Sequence, residues 1–224
     1  MNYSGHSRFR RLRASGVLPH HQHAEAYIAV VLSGEYEEAG DRGCFRVKPG
    51  DVVLHSPFES HVNRYEPRGA DLITLELAAS ATITEAVATL PDADEIVRIA
   101  ECDPREATAE VLRVMQPAKR SVDDWPQKLA TALEQNLHLR LGDWARELGL
   151  ADATISRAFQ NVFGITPSAF RVRQRARAAL RLAVVGSGEL SEVVLQAGFC
   201  DQAHMTRAVR AMTGRPPGAW RHVK

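Results

Sequence analysis

Histidines are the residues of this chain whose type and spacing most directly suggest chemistry. Five of the nine lie between residues 20 and 61, namely His20, His21, His23, His55 and His61. Side chains alternate between the two faces of a β-strand, so on a strand His21, His23 and Tyr27 share one face while His20 points to the other. Neutral imidazole is a common metal ligand and a hydrogen-bonding group near neutral pH. The pattern therefore indicates a ligand or metal site in the first part of the chain.

A second chemically suggestive set lies near the C-terminus, where the sequence repeats itself. The matching positions, fifty residues apart, are Ile155, Arg157, Phe159, Val162, Gly164 and Pro167 with Met205, Arg207, Val209, Met212, Gly214 and Pro217. In each copy the apolar members stand at i, i+4 and i+7, which makes one stripe along a helix. Each copy fits a helix, a glycine turn and a second helix, the layout of a helix-turn-helix unit. The repeat predicts two such units.

The opposite face of each second helix carries basic, amide or small side chains. They are Ala153, Arg157 and Gln160 in the first copy, and Ala203, Arg207 and Arg210 in the second. Such faces suit reading of the DNA major groove. The charge distribution agrees, because residues 121–224 hold 14 Lys/Arg against 9 Asp/Glu, a net charge of +5, whereas residues 1–80 have −1 and residues 81–120 have −3. A basic C-terminal part favours a polyanion partner.

The elements that would position the histidines are short strands separated by turns. The apolar runs are Tyr27–Leu32, Tyr36–Ala39, Cys44–Val47, Val52–Leu54 and Leu72–Leu77. Gly40 to Gly43 reads as a hairpin turn and Pro49-Gly50-Asp51 as another. Several short strands at this spacing predict a small β-barrel or sandwich.

Helical patterns begin after residue 80. One helix is expected from about Ala93 to Ala100, and Asp103-Pro104 starts another that Pro117 ends. We therefore predict an α+β two-domain protein. Its parts are a small β-barrel over residues 1–80, a helical linker and dimerisation segment over residues 81–120, and an all-α DNA-binding domain over residues 121–224.

Composition restricts the remaining classes. The three cysteines are scattered and show no paired spacing, so neither a disulfide framework nor a cysteine zinc site is expected. No run approaches the ~20 apolar residues of a membrane span. No apolar run follows the basic N-terminal residues, so a signal peptide is not expected. These observations predict a cytoplasmic protein with no membrane partner.

The C-terminal part resembles the AraC/XylS family of transcription regulators over residues 122–224. The matching segments are Leu148–Phe159, Gly164–Pro167, Ala197–Arg207, Gly214–Pro217 and Trp220-Arg221. The resemblance implies two recognition helices, at residues 152–163 and 201–213, which enter successive major grooves. It implies base-edge contacts by Ala153, Ser156, Arg157, Gln202, Ala203, Thr206 and Arg207.

The histidine region resembles the two cupin motifs, and AraC-type regulators commonly carry a cupin-like sensor barrel. His21-x-His23 with Gly34 matches the first motif, except that Tyr27 stands where that motif has glutamate. Pro57 to His61 matches the second motif, one residue short and without its glycine. The resemblance implies a three-imidazole site of His21, His23 and His61 for zinc or a similar divalent ion. Tyr27 and His55 would contact an effector, and an organic effector without metal remains an alternative.

Together these features predict a ligand-responsive DNA-binding transcription regulator. Its partners would be double-stranded DNA, a small-molecule or metal effector, and a second copy of the chain bound through the helices of residues 93–116. One alternative is a metal-dependent cupin enzyme fused to a DNA-binding domain. Another is a constitutive DNA-binding protein whose barrel serves only for dimerisation.

Overall fold

The computed structural model describes residues 8–12, 16–78, 81, 83–186 and 189–221, with only the backbone described for residues 8–12. The chain forms two compact units, Met1–Val122 and Asp123–Lys224. The first contains an antiparallel sheet and the second is helical, which confirms the predicted class at this level.

The strands of the first unit are β1 (Arg8–Leu12), β2 (Val17–Gln22), β3 (Tyr27–Gly40), β4 (Gly43–Val47), β5 (Asp51–His55), β6 (Ser60–Glu76), β7 (Val87–Thr89) and β8 (Gln116–Pro117). Its helices are α1 (Ala93–Cys102) and α2 (Pro104–Val114). The second unit contains α3 (Trp125–Gln135), α4 (Leu141–Glu147), α5 (Asp152–Phe163), α6 (Pro167–Val185), α7 (Leu190–Gln196), α8 (Gln202–Thr213) and a 3₁₀ turn (Pro217–Trp220).

Two long strands organise the sheet. The strand order is β1-β6-β3-β5-β7-β8, with β2 also paired to β6 and β4 also paired to β3. The first half of β3 pairs with β5 and the last part of β6, and its second half pairs with β4 and the first part of β6. Among the described strands, β1 and β8 stand at the two ends of this path and do not pair with each other, so the predicted closed barrel is not confirmed. The sheet also continues past residue 80, through β7 and β8.

The two long strands bend together where the sequence predicts a break. Gly34 in β3 has φ +73° and Gly69 in β6 has φ +70°, and the β3–β6 register shifts there. A Cβ on Gly34 would lie 2.0 Å from the Gly69 carbonyl oxygen. Only glycine fits such a backbone approach with a positive φ. The predicted strands Tyr27–Leu32 and Tyr36–Ala39 are therefore one bent strand.

The helices α1 and α2 cover one face of the sheet. Ile96 and Ala100 of α1, with Ala107 and Val111 of α2, join a buried apolar cluster of inward side chains from β3, β5 and β6. Asp103 caps α2 and Pro104 occupies its first turn, as the sequence predicts. The apolar stripes of both helices thus pack against the sheet of the same unit. Dimerisation through these helices stays a prediction.

The second unit contains two pairs of helices with similar geometry. A turn with Gly149 at φ +65° joins α4 to α5, and a turn with Gly198 at φ +75° joins α7 to α8. The longer helix of each pair ends on a left-handed glycine, Gly164 or Gly214. The helix predicted at residues 152–163 has the predicted bounds, and the one predicted at residues 201–213 begins one residue later, at Gln202, with Asp201 as its N-cap. No helix among the described residues is long and apolar enough to cross a bilayer.

Substitution of Gly34 by alanine tests the importance of the bend. We expect Gly34→Ala to destabilise the first unit by about 1–3 kcal/mol, because the new Cβ would clash with a backbone oxygen at an unfavourable φ. Gly142→Ala is the matched control: nothing lies within 4 Å of a Cβ at that helical position, so it should stabilise its unit by about 0.4–1 kcal/mol.

Urea unfolding followed by far-UV circular dichroism measures both effects. All three tryptophans, Trp125, Trp144 and Trp220, belong to the second unit, so their fluorescence identifies its transition. A Gly34→Ala protein as stable as the wild type would contradict the role of the bend.

Candidate functional sites

The histidines meet where the ends of four strands come together in the first unit. His21 near the end of β2 is the direct cross-strand neighbour of His61 at the start of β6. Tyr27 at the start of β3 is likewise opposite His55 at the end of β5. Cross-strand neighbours have Cβ atoms about 4.5–5.5 Å apart. Strand pairing therefore brings together residues that are up to 40 positions apart in the sequence.

The three predicted metal ligands form one cluster, which we call the outer set. His21, His23 and His61 each offer a ring nitrogen, and these atoms lie within 4.8 Å of one another. The ring of His61 lies 4.3 Å from that of His21 and 5.5 Å from that of His23, between centroids. Nδ1 of His21 lies 2.8 Å from the carbonyl oxygen of Pro19. A backbone carbonyl at Nδ1 fixes the tautomer that presents Nε2 to a metal.

The predicted effector residues lie beside this cluster. Tyr27 stacks on His55 with 4.2 Å between ring centroids and meets His23 edge-on at 5.0 Å. Nε2 of His20 forms a hydrogen bond with the Ser60 hydroxyl at 2.9 Å. Because Ser60 precedes His61 on β6, alternation places this contact on the face opposite the outer set, as expected for His20.

A buried carboxylate completes a second cluster that the sequence analysis missed. Glu38, His55 and His61 offer ligand atoms that also lie within 4.8 Å of one another, and we call them the inner set. Oε1 of Glu38 lies 3.6 Å from Nε2 of His55. Asn63 donates a hydrogen bond to the other Glu38 oxygen at 2.8 Å. The structure thus brings a glutamate to the histidines from β3, although Tyr27 occupies the cupin glutamate position.

Close contact between β3 and β6 brings Glu38 to this position. Glu38 pairs with Asn63, and Gly40 pairs with His61. A Cβ on Gly40 would lie 2.7 Å from the Cβ of His61 and 2.3 Å from the Ser60 carbonyl oxygen. The signal in the sequence is therefore Glu38-x-Gly40 facing His61-x-Asn63, and it becomes visible only when the register is known.

Polar contacts from the β3–β4 hairpin hold the loop before β6 in place. The Asp41 carboxylate accepts a hydrogen bond from the Ser60 backbone N–H at 3.0 Å. Arg42 lies 3.6 Å from the Glu59 carboxylate and donates to the Thr84 carbonyl at 2.8 Å. Phe58 in this loop has φ +63°, a conformation that is rare outside glycine. Phe58 therefore adopts the left-handed backbone conformation within Pro57 to His61, the segment that matches the second cupin motif without its glycine.

Burial favours the uncharged forms of the three inner-set residues. It raises the pKa of Glu38 from 4.5 to about 8, and the Asn63 hydrogen bond only partly opposes this. Burial, together with the nearby His23 and His21, lowers the pKa of His55 to about 3. Burial also lowers the pKa of His61 well below 6.5. Burial therefore favours the neutral forms of Glu38 and His55, and a neutral imidazole has a lone pair that can bind a metal.

Free space at the site is small. A cavity of about 10 Å³ touches Glu38, His55 and His61, and another of about 20 Å³ touches His23 and Tyr27. A cavity of roughly 10–15 Å³ holds one water molecule, whereas pockets for drug-sized ligands measure about 300–1,000 Å³. These two cavities can accept an ion or a water but not a large organic molecule.

In the second unit, α5 and α8 expose the residues that the sequence predicts to contact DNA. Exposed positions are Ala153, Arg157, Gln160, Gln202, Ala203, Arg207 and Arg210, and Ser156 and Thr206 are half-buried beside them. The buried stripes contain Ile155 and Phe159 in α5, and Met205, Val209 and Met212 in α8. The two helices thus present equivalent faces, although Val162 is only half-buried.

Two arginines of α6 have a structural role. Arg171 donates to the Leu139 carbonyl at 3.1 Å, and Arg175 donates twice to the Leu137 carbonyl at 2.8 and 2.6 Å. Both carbonyls belong to the segment between α3 and α4. These two arginines of α6 therefore anchor this segment, a role that no local sequence pattern indicates.

Comparison with known proteins supports the resemblance for the second unit. A family model described as a helix-turn-helix domain matches residues 144–222. Similar proteins include the virulence regulon transcriptional activator VirF of Yersinia enterocolitica, 29% identical over 100 residues that cover 44% of this chain and 37% of VirF. The transcriptional activator NphR of Rhodococcus sp is 32% identical over 97 residues, 42% of this chain and 29% of NphR. The chain thus spans about a third of the length of these relatives.

Solved structures give similar matches. ToxT from Vibrio cholerae aligns over 96% of both chains with 9% identity and a TM-score of 0.43. A probable AraC family transcriptional regulator from Rhodopseudomonas palustris aligns over 42% of this chain and 90% of its own, with 25% identity and a TM-score of 0.39.

The neutral inner set predicts how pH affects the metal-free protein. Glu38 has a higher pKa when folded, so its contribution to stability is complete below pH 4.5 and is lost as pH rises through about 8. His55 has a lower pKa when folded, so its contribution is present above pH 6.5 and is lost as pH falls toward about 3. Glu38→Gln should therefore reduce the loss of first-unit stability between about pH 6.5 and 8.5.

Urea unfolding in the presence of a chelator at both pH values measures this. Glu37→Gln, at the neighbouring half-buried position on the other face of β3, is the control and should retain the wild-type dependence. Equal pH dependence of Glu38→Gln and wild type would contradict the neutral state of Glu38.

Proposed function

We propose that this chain is a DNA-binding transcription regulator that responds to a divalent cation. The premise of this proposal is that residues 144–222 form an AraC-type helix-turn-helix domain. The observation that carries the proposal is the repeated, exposed face of α5 and α8. The relatives are named as transcriptional activators, which favours a regulator over the alternative of a metal-dependent enzyme.

The paired helices support binding to two successive major grooves. Each second helix follows a glycine turn and exposes one arginine at an equivalent position, Arg157 in α5 and Arg207 in α8. Arginine can make a bidentate contact with guanine, and glutamine, as at Gln202, can pair with adenine in the same way. We infer that the exposed alanines contact thymine methyl groups and that Arg210 and Gln160 contact phosphates. The net charge of +5 over residues 121–224 would supply the sequence-independent part of the affinity.

The histidine cluster supports a cation as the effector. Three imidazole nitrogens within 4.8 Å of one another match the donor set of a zinc site that keeps one position open. The small cavities favour an ion over an organic effector of drug size. In this proposal Tyr27 and His55 lie beside the outer set, and zinc is the first candidate. The regulator would act in the cytoplasm as a homodimer on double-stranded DNA.

Replacement of either arginine tests the DNA interface. Arg157→Ala and Arg207→Ala should each weaken specific binding by about 1–3 kcal/mol, roughly 5–150-fold, because each removes a bidentate base contact. They should relax base preference at positions about one helical turn apart. Selection from a random duplex library, followed by fluorescence anisotropy of the full chain, measures both effects.

Lys128→Ala is the charge-matched control, because Lys128 on α3 is exposed and paired with Asp123 at 3.0 Å. It should retain the base preference. If both arginine variants also retain it, the assignment of these residues as base readers is wrong.

Removal of the shared histidine tests the cation site. Wild-type protein should bind about one zinc ion and melt at a higher temperature with zinc than with chelator, since a ligand of the folded state stabilises it by mass action. His61→Ala should abolish both effects, whereas His20→Ala, on the opposite face of β2, should preserve them. Elemental analysis and scanning calorimetry of the full chain are the measurements. Absence of bound metal in the wild type would leave the organic effector as the alternative.

A further inference from the structure

We propose that Glu38, His55 and His61 form a second, inner position for the divalent cation, which competes with the outer set of His21, His23 and His61 for the shared imidazole. This inference rests on the proposed cation-binding function and adds the position that supplies a negatively charged ligand. It also assigns a ligand role to Glu38, which lies outside both sequence motifs.

The inner set has the donor composition of a metal site. Its members come from three paired strands, β3, β5 and β6, and their ligand atoms lie within 4.8 Å of one another. All three residues are buried, with 6%, 4% and 4% of Glu38, His55 and His61 exposed. Two histidines and one carboxylate form a facial ligand set that binds iron(II) and related divalent ions and leaves coordination positions open.

The shared histidine lacks a partner that a metal would provide. Nδ1 of His61 is buried and has no hydrogen-bond partner in the structure. Most buried polar side-chain atoms have one, so an exception requires an explanation such as an ion. The cavity of about 10 Å³ that touches all three inner residues is large enough for a single atom or water.

The surrounding groups orient the inner ligands as in known metal sites. Oε2 of Glu59 lies 4.0 Å from Nδ1 of His55, and Nε2 of the same ring lies 3.6 Å from Oε1 of Glu38. Asn63 holds one oxygen of Glu38, and the other oxygen faces His55. Hydrogen bonds from groups behind the ligands orient metal ligands, and the Asn63 amide makes such a bond to Glu38.

Charge favours the inner position over the outer one. The outer set consists of three imidazoles, which bind metal in their neutral form and leave both positive charges of the ion uncompensated. An ion at the inner position would displace the Glu38 proton to solvent, and the resulting carboxylate would compensate one of these charges directly, which matters most where water is excluded.

The two positions compete because they share His61. A neutral imidazole has one nitrogen with a free lone pair, so it ligates one ion at a time. The chain should therefore bind one ion in total, held at the inner position and able to occupy the outer one when an inner ligand is lost. The half-buried state of His21 and His23 gives the outer position access to solvent.

Cobalt(II) binding to the full chain tests the proposal, with absorption spectra and equilibrium dialysis as readouts and zinc competition as confirmation. Wild type should bind one ion. Glu38→Gln should weaken binding by at least about 10–100-fold, and its spectrum should change toward that of a site with nitrogen ligands. The double variant His21→Ala/His23→Ala should retain one ion with affinity within about tenfold of wild type. Glu37→Gln, whose side chain pairs with Arg64 at 3.5 Å, is the matched control and should bind as wild type does.

His55→Gln provides an independent test, and far-UV circular dichroism establishes that each variant is folded. Unchanged affinity in both Glu38→Gln and His55→Gln would overturn the inner position while leaving the outer set, and so the proposed function, intact. Two ions bound to wild type would overturn the competition. No ion bound to wild type would overturn the cation-binding function itself.

Discussion

The joint bend of β3 and β6 is the constraint on which the first unit depends. Each of these two strands is long enough to belong to two parts of the sheet. The two strands can stay paired in both parts only if they change direction at the same place. The glycines at 34 and 69 permit this because no side chain separates the two backbones. Past the bend, Glu38 pairs with Asn63 and Gly40 pairs with His61 across the two strands. The candidate site is therefore determined by two glycines that do not touch it.

The first unit divides stability and chemistry between different parts of the same strands. Next to α1 and α2 the inward side chains are apolar, for example Ile28, Ile73 and Leu75. Burial of such residues is the dominant favourable contribution to folding. At the other end the interior contains Glu38, His55 and His61. Buried ionisable groups cost stability unless they are neutral or paired, so polar residues at this position indicate function rather than packing.

Local patterns predicted what depends on local geometry. The exposed faces of α5 and α8 follow from a periodicity of 3.6 residues, and the faces of His21 and His61 follow from strand alternation. Glu38 was missed because it lies in an acidic stretch with Glu35 and Glu37, where a solvated surface is the ordinary interpretation. Which carboxylate points inward depends on the β3–β6 register, and that register is fixed by the bend. The anchoring role of Arg175 depends on Leu137, 38 residues away, and has no local signal either.

The β3–β4 hairpin connects the candidate site to the segment that leads into the second unit. Asp41 at its turn holds the loop before His61, while the Cys44 carbonyl accepts a hydrogen bond from the Val122 N–H at 3.0 Å. Arg120 adds a bidentate contact with the fully buried Asp51, at 2.8 and 3.0 Å.

A cation can regulate DNA binding only if two conformations of the protein bind it with different affinities, and a hundredfold difference corresponds to about 2.7 kcal/mol. A change at Glu38 or His61 acts on strands that pair directly with this hairpin or form part of it. Residues 120 and 122, which precede Asp123, are hydrogen-bonded to the same hairpin, so a shift of the hairpin between two conformations would act on the segment that leads into the second unit.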